Sequence, residues 1–89
     1  MMKPSPEQKS EMLKRLARVE GQVRGVHKLI EGDADCEKVL QQMTAARKAL
    51  DRAFYEMMAC LIETSVLEAK AEQLPDRMAE VKSLLSKYA

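Results

Sequence analysis

The sequence predicts an all-α chain, and three observations carry that prediction. From Ala34 to Leu74 no Gly or Pro interrupts the backbone. On both sides of Gly32, apolar residues recur at alternating steps of three and four, the period of one helix face. No run alternates residue by residue, as a half-buried strand does. The expected architecture is one domain spanning 1–89, a three-helix chain. Its first two helices form a hairpin, and two hairpins close an antiparallel four-helix-bundle dimer.

The first helix starts at Ser5-Pro6-Glu7-Gln8. Ser5 suits the cap, Pro6 suits the first helical position, and Gln8 completes a capping box. Met12, Leu16, Val19, Val23, Val26 and Ile30 mark the buried stripe, and Gly32 supplies the stop. Asp33 is the expected cap of the second helix, with Cys36 in its first turn. Its stripe runs through Val39, Leu40, Met43, Ala46, Leu50, Phe54, Met57 and Leu61, with an end expected near residue 70. A polar link over 68–73 follows. Pro75 then opens a short third helix that turns Met78, Val81, Leu84 and Leu85 inward.

The long second helix separates its two thiols. Cys36 and Cys60 are 24 residues apart, about 36 Å along a helix, whereas a disulfide needs Cα atoms within about 7 Å. They can meet only between chains. If two copies pack head to tail about a two-fold near Lys48, Cys36 of one lies level with Cys60 of the other. Val39 then meets Met57, Met43 meets Ala53, and Ala46 meets Leu50, an apolar and self-complementary seam.

Composition supports such an assembly. The 89 residues include only three aromatic side chains, Phe54, Tyr55 and Tyr88, so each chain builds a modest core. Small domains of this kind gain stability by oligomerising. Fifteen basic and fourteen acidic residues nearly cancel, but unevenly. Residues 1–30 hold seven Lys/Arg against three Glu, net +4, and residues 31–89 hold eight against eleven, net −3. That asymmetry suits a basic face. No stretch reaches the length of a membrane span and no signal-peptide core opens the chain, so a cytoplasmic protein is expected.

In a reducing compartment two cysteines favour reactive or metal-binding thiols over a structural bridge. Cys36 lies where unpaired N–H groups and the positive helix end favour a sulfur anion, while Asp35 and Glu37 act against it. Cys60 lies on or beside the seam, and a buried thiol also serves as a small hydrophobe. His27 is the only histidine and falls on the polar side of its helix. There is no phosphate loop, nucleophile motif or zinc-type Cys/His spacing, which argues against an enzyme. Lys14, Arg15 and Arg18 share a flank of the first helix. Arg47, Lys48 and Arg52 cluster beside the expected two-fold, so a dimer concentrates positive charge suited to phosphates.

Three segments, Arg-Val-Glu-Gly-Gln-Val-Arg-Gly-Val (18–26), Ile-Glu-Gly-Asp-Ala-Asp-Cys (30–36) and Gln-Gln-Met-Thr-Ala-Ala-Arg-Lys-Ala-Leu (41–50), resemble the CsoR/RcnR/FrmR family of copper-, nickel/cobalt- and formaldehyde-responsive repressors. The resemblance implies a disc-like homotetramer built from antiparallel dimers, and a DNA-binding repressor that leaves its operator on sensing an inducer. It places Arg15 and Arg52 at DNA-binding positions, with Lys14, Arg18 and Arg47 supporting them by charge and position. It makes Cys36 the shared sensor cysteine. The copper sensors' His and second Cys are replaced here by Leu61 and Ser65, and the Tyr that backs their metal ligands by Asp35. The persulfide sensors' second cysteine is likewise Ser65, and the formaldehyde sensors' proline amine is here the amide nitrogen of Pro4. The expected mechanism is a thiol switch at Cys36, with Cys60 of the partner subunit as its second thiol, answering a sulfur species, oxidant or electrophile. Cu(I) held by the same thiols and formaldehyde acting at Cys36 are the alternatives. A helical adaptor or metal carrier that never touches DNA is the rival from another class.

Overall fold

The computed structural model describes residues 3–88. It contains three helices, α1 (Pro6–Glu31), α2 (Cys36–Leu67) and α3 (Leu74–Tyr88), and no strand among the described residues. The first two lie antiparallel as a hairpin, and α3 folds back on the C-terminal half of α2.

The start of α1 follows the sequence. Ser5 Oγ accepts from the Gln8 N–H at 3.1 Å, and Gln8 Oε1 accepts from the Ser5 N–H at 2.8 Å, closing the capping box. The hairpin turn differs from expectation. Asp35, not Asp33, caps α2, its Oδ1 accepting from the Lys38 N–H at 2.9 Å. Cys36 is therefore the first residue of the helix. Asp33 instead adopts a left-handed conformation, φ 59°. The reason lies in how α1 ends. The Ala34 N–H reaches back to the Leu29 carbonyl at 2.9 Å and the Asp33 N–H to that of Ile30 at 3.1 Å. That pair of bonds is a Schellman closure, which needs a left-handed residue just past the cap. Gly32 is the cap itself at φ −86°, so Asp33 takes the strained position.

The second helix stops at Leu67, three residues short of expectation. The Ala69 N–H turns back to the Val66 carbonyl at 3.3 Å, and Lys70 is extended. A single 3₁₀ turn over Ala71–Gln73 leads into α3, which opens at Leu74.

The expected apolar stripe of α2 resolves into two faces. Ala46, Ala53, Cys60 and Thr64 are buried within the chain, Ala53 only 3% exposed. Leu40, Met43, Leu50, Phe54 and Met57 are left in water, Leu40 at 62%. On α1, Val19 is buried and Met12, Leu16 and Val26 half-buried, whereas Val23 and Ile30 are exposed. On α3 only Val81 is buried. Leu84 and Leu85 are half-buried, and Met78, expected inward, is exposed.

The molecule is a slab, 59 × 27 × 14 Å, with a radius of gyration of 17.6 Å. A compact domain of this length has a radius nearer ~12 Å. A slab little thicker than one helix, ~10–12 Å across, cannot enclose its own apolar residues. It leaves Leu40, Met43, Leu50, Phe54 and Met57 as a run of large uncovered side chains along α2. No helix among the described residues is long and apolar enough to cross a membrane.

Candidate sensor and nucleic-acid interface

Cys36 is exposed at the N-terminal end of α2. Ile30, Asp33, Ala34, Val39 and Leu40 surround it in an open, mostly apolar pocket. The Schellman closure of α1 and the Asp35 cap fix its backbone, so the thiol projects from a rigid hairpin end. The N–H groups of the first helical turn and the positive end of the α2 dipole lie beside it.

Cys60 has a different environment. It is buried, and its thiol donates to Gln8 Oε1 at 3.4 Å. Gln8 Nε2 in turn donates to Glu63 Oε2 at 3.1 Å. Gln8 thus links the α1 cap, the Cys60 thiol and a carboxylate of α2. Burial first, and then the Glu63 charge, push the Cys60 thiol up from its ordinary value. It is held protonated, as a donor. Within one chain the two thiols stand at far ends of α2 and are not brought together. For Cys60 to reach a sulfur of another chain it must leave Gln8 and turn out of the α1–α2 contact.

Leu61 and Ser65, which the resemblance sets at the copper sensors' His and second Cys, are half-buried and fully buried. Ser65 Oγ has no hydrogen-bond partner among the described residues. Beyond the capping role of Gln8, nothing in the sequence marked Gln8 or Glu63, because their contacts depend on how the two helices face each other. His27 is exposed, and no group of three or more His, Cys, Asp or Glu side chains among the described residues is placed to hold a metal ion.

The basic residues spread along the hairpin. Lys14, Arg18, Arg47 and Arg52 are exposed, and Arg15 is half-buried between α1 and α2. Lys14 Nζ lies 3.7 Å from Glu11 one turn away, and Arg15 Nη2 lies 3.6 Å from Glu56 across the helix pair. Arg15 on α1 and Arg52 on α2, one turn before Glu56, therefore lie close along the hairpin.

A family model for the metal-sensitive transcriptional repressors matches residues 8–87. Over 84 residues the chain is 36% identical to the copper-sensing transcriptional repressor RicR of Mycobacterium tuberculosis, covering 91% of this chain and 88% of that protein. Among solved structures it is similar to a variant of the formaldehyde-responsive regulator FrmR from Salmonella enterica serovar Typhimurium. The TM-score is 0.77 at 33% identity, over 96% of this chain and 98% of that one. It is also similar to the copper-sensing repressor CsoR with Cu(I) from Geobacillus thermodenitrificans. There the TM-score is 0.81 at 28% identity, over 99% and 93% of the two chains. One backbone thus serves regulators named for different inducers, so the inducer must be read from side chains.

Proposed function

We propose that this chain, which belongs to the family of metal-sensitive transcriptional repressors, senses its inducer through covalent chemistry at Cys36 and then releases operator DNA. Members of this family are oligomeric regulators that bind operator DNA rather than enzymes. The observation that carries the finer reading is the contrast between the thiols. Cys36 is open to solvent at a helix start, and Cys60 is buried and hydrogen-bonded.

The uncovered stripe of α2 supports a head-to-tail dimer with a slightly shifted register. Four of the five uncovered residues pair under a two-fold between Lys48 and Ala49, Leu40 opposite Met57 and Met43 opposite Phe54, while Leu50 lies beside the axis, level with Arg47 of the partner subunit and about 4.5 Å along the helix from its own copy. Ala46 and Ala53, which a two-fold at Lys48 places in the seam, are covered by α1 instead. In the shifted register Cys36 stands level with Leu61 of the partner subunit. The thiol is then walled by Ile30, Val39, Leu40 and that leucine. Such a site suits a nucleophilic sulfur better than a hydrated cation. Attack on the outer sulfur of a persulfide forms a Cys36 persulfide and releases the donor as its thiolate. Addition to the C=C bond of a Michael acceptor forms a thioether, and addition to the C=O bond of formaldehyde forms a hemithioacetal; in each the π bond opens and the carbon or oxygen that receives its electron pair takes up the proton lost by the thiol. The DNA face is assigned to Arg15 and Arg52, with Lys14, Arg18 and Arg47 adding phosphate contacts.

A second reading, a Cu(I) sensor, is favoured by the copper-sensing relatives and by the softness of thiolate ligands. The donor set fits it incompletely. Cys36 supplies one thiolate, Leu61 and Ser65 supply no soft donor, and Cys60 is committed to Gln8.

The test uses an operator duplex selected by the protein from a randomised pool. Binding and intact mass are measured after separate exposure to a persulfide, formaldehyde and Cu(I). A mass gain on Cys36 with loss of DNA binding is expected for one of the first two, and Cys36→Ala abolishes it. Undiminished response of Cys36→Ala refutes the site. Reversible Cu(I) uptake with DNA release, and no covalent product, selects the second reading.

A further inference from the structure

Among the five basic residues assigned to the DNA face, Arg15 alone is folded into the groove between the helices. Its side chain is 28% exposed, and its partner Glu56 is 49% exposed. Glu11 and Glu63 line the same cleft, together with Gln8 and Cys60. Lys14 has only the loose contact with Glu11 on its own helix, and Arg18, Arg47 and Arg52 form no ion pair among the described residues. The Arg15–Glu56 separation of 3.6 Å exceeds the ~2.7–2.9 Å of a charge-assisted hydrogen bond. The pair is attractive but open to exchange.

Resting on the assignment of Arg15 to the DNA face, we infer that Glu56 is a latch that competes with operator phosphate for the Arg15 guanidinium and so sets the affinity for DNA. A guanidinium offers the same fork of N–H donors to a carboxylate and to a phosphate. On binding, Arg15 exchanges the Glu56 carboxylate for a phosphate oxygen. No covalent step or proton transfer is involved. The exchange has two costs. The existing pair is broken, and the Glu56 carboxylate is left facing the phosphate backbone one helical turn from Arg52. Both costs lower affinity, and both keep the complex easy to dissociate when the sensor end of α2 is modified. Because α2 carries Cys36 at its start and Glu56 in its second half, a shift of α2 relative to α1 alters the Arg15–Glu56 distance directly. Glu56 is therefore a positioning residue on the element that carries the sensor.

The test is a double-variant cycle on the full chain, with the selected operator duplex followed by fluorescence anisotropy over a series of KCl concentrations. Glu56→Gln is expected to tighten operator binding about threefold to tenfold at low salt, with the gain shrinking as salt rises. Arg15→Ala is expected to weaken binding about tenfold or more. In the Arg15→Ala background, the gain from Glu56→Gln is expected to shrink to about twofold or less, the share that phosphate repulsion alone supplies once the latch has nothing to hold. Glu11→Gln, which removes equal charge from the same cleft, is expected to give less gain than Glu56→Gln. A Glu56→Gln gain that is undiminished in Arg15→Ala, or that Glu11→Gln equals, overturns the latch in favour of general charge repulsion. A Glu56→Gln loss overturns it in favour of a scaffold role. Unchanged binding by Arg15→Ala overturns the assignment of Arg15 to DNA, and the latch with it.

Discussion

Leu50 lies near the middle of the uncovered face of α2, and its replacement tests the assembly most directly. It is 52% exposed in the single chain, which leaves about 100 Å² of its side chain in water. Covering that area returns about 2.5 kcal/mol per copy at roughly 25 cal/mol per Å². A two-fold brings both copies into one seam, so Leu50→Asp removes about 5 kcal/mol per dimer, before any cost of desolvating two carboxylates. That is between three and four decades in Kd. A dimer with a nanomolar Kd moves into the micromolar range. Leu50→Met, which conserves volume, is expected to cost less than about 1.5 kcal/mol and to keep the dimer. Sedimentation velocity over a dilution series, with circular dichroism at each concentration, reads both. Dissociated helical chains and unfolded chains both fit the reasoning, since the single slab buries few large side chains. A Leu50→Asp variant that stays dimeric and helical at nanomolar concentration refutes a seam along this stripe.

Two further outcomes follow from the cap and the buried thiol. Asp33→Gly relieves the left-handed strain at φ 59° and is expected to stabilise the chain by about 1 kcal/mol in urea unfolding, whereas Asp33→Val is expected to destabilise it by more. Cys60 has a raised folded-state pKa, so the unfolded chain loses this proton first. The stability Cys60 contributes is complete below the ordinary thiol range and is lost as pH rises through the raised value. Cys60→Ala is expected to cost about 1 kcal/mol at pH 7, through the lost bond to Gln8. It also flattens the decline above pH ~8.5 by up to one proton, about 1.4 kcal/mol per pH unit. Equal alkaline slopes for both proteins refute the assignment of a protonated, hydrogen-bonded thiol.

The sequence by itself determined the helical class, the order of the helices and the capped start of α1. Those features rest on interactions within a few residues, such as the Ser5–Gln8 box and the three-four spacing of Met12, Leu16 and Val19. It also placed Cys36 at a helix start, although the cap proved to be Asp35, because the Schellman closure of α1 consumes Asp33. Periodicity drew one stripe along α2 where the structure has two faces. Spacing records that residues share a side of a helix, but not whether α1 or a second chain covers them. Only the tertiary packing turned Ala46, Ala53 and Cys60 toward α1 and left Leu40, Leu50 and Phe54 outside. Only that packing joined Cys60 to Gln8 across 52 residues and set Glu56 against Arg15. Those contacts depend on the rotation of α2 about its own axis, a quantity that local sequence does not encode.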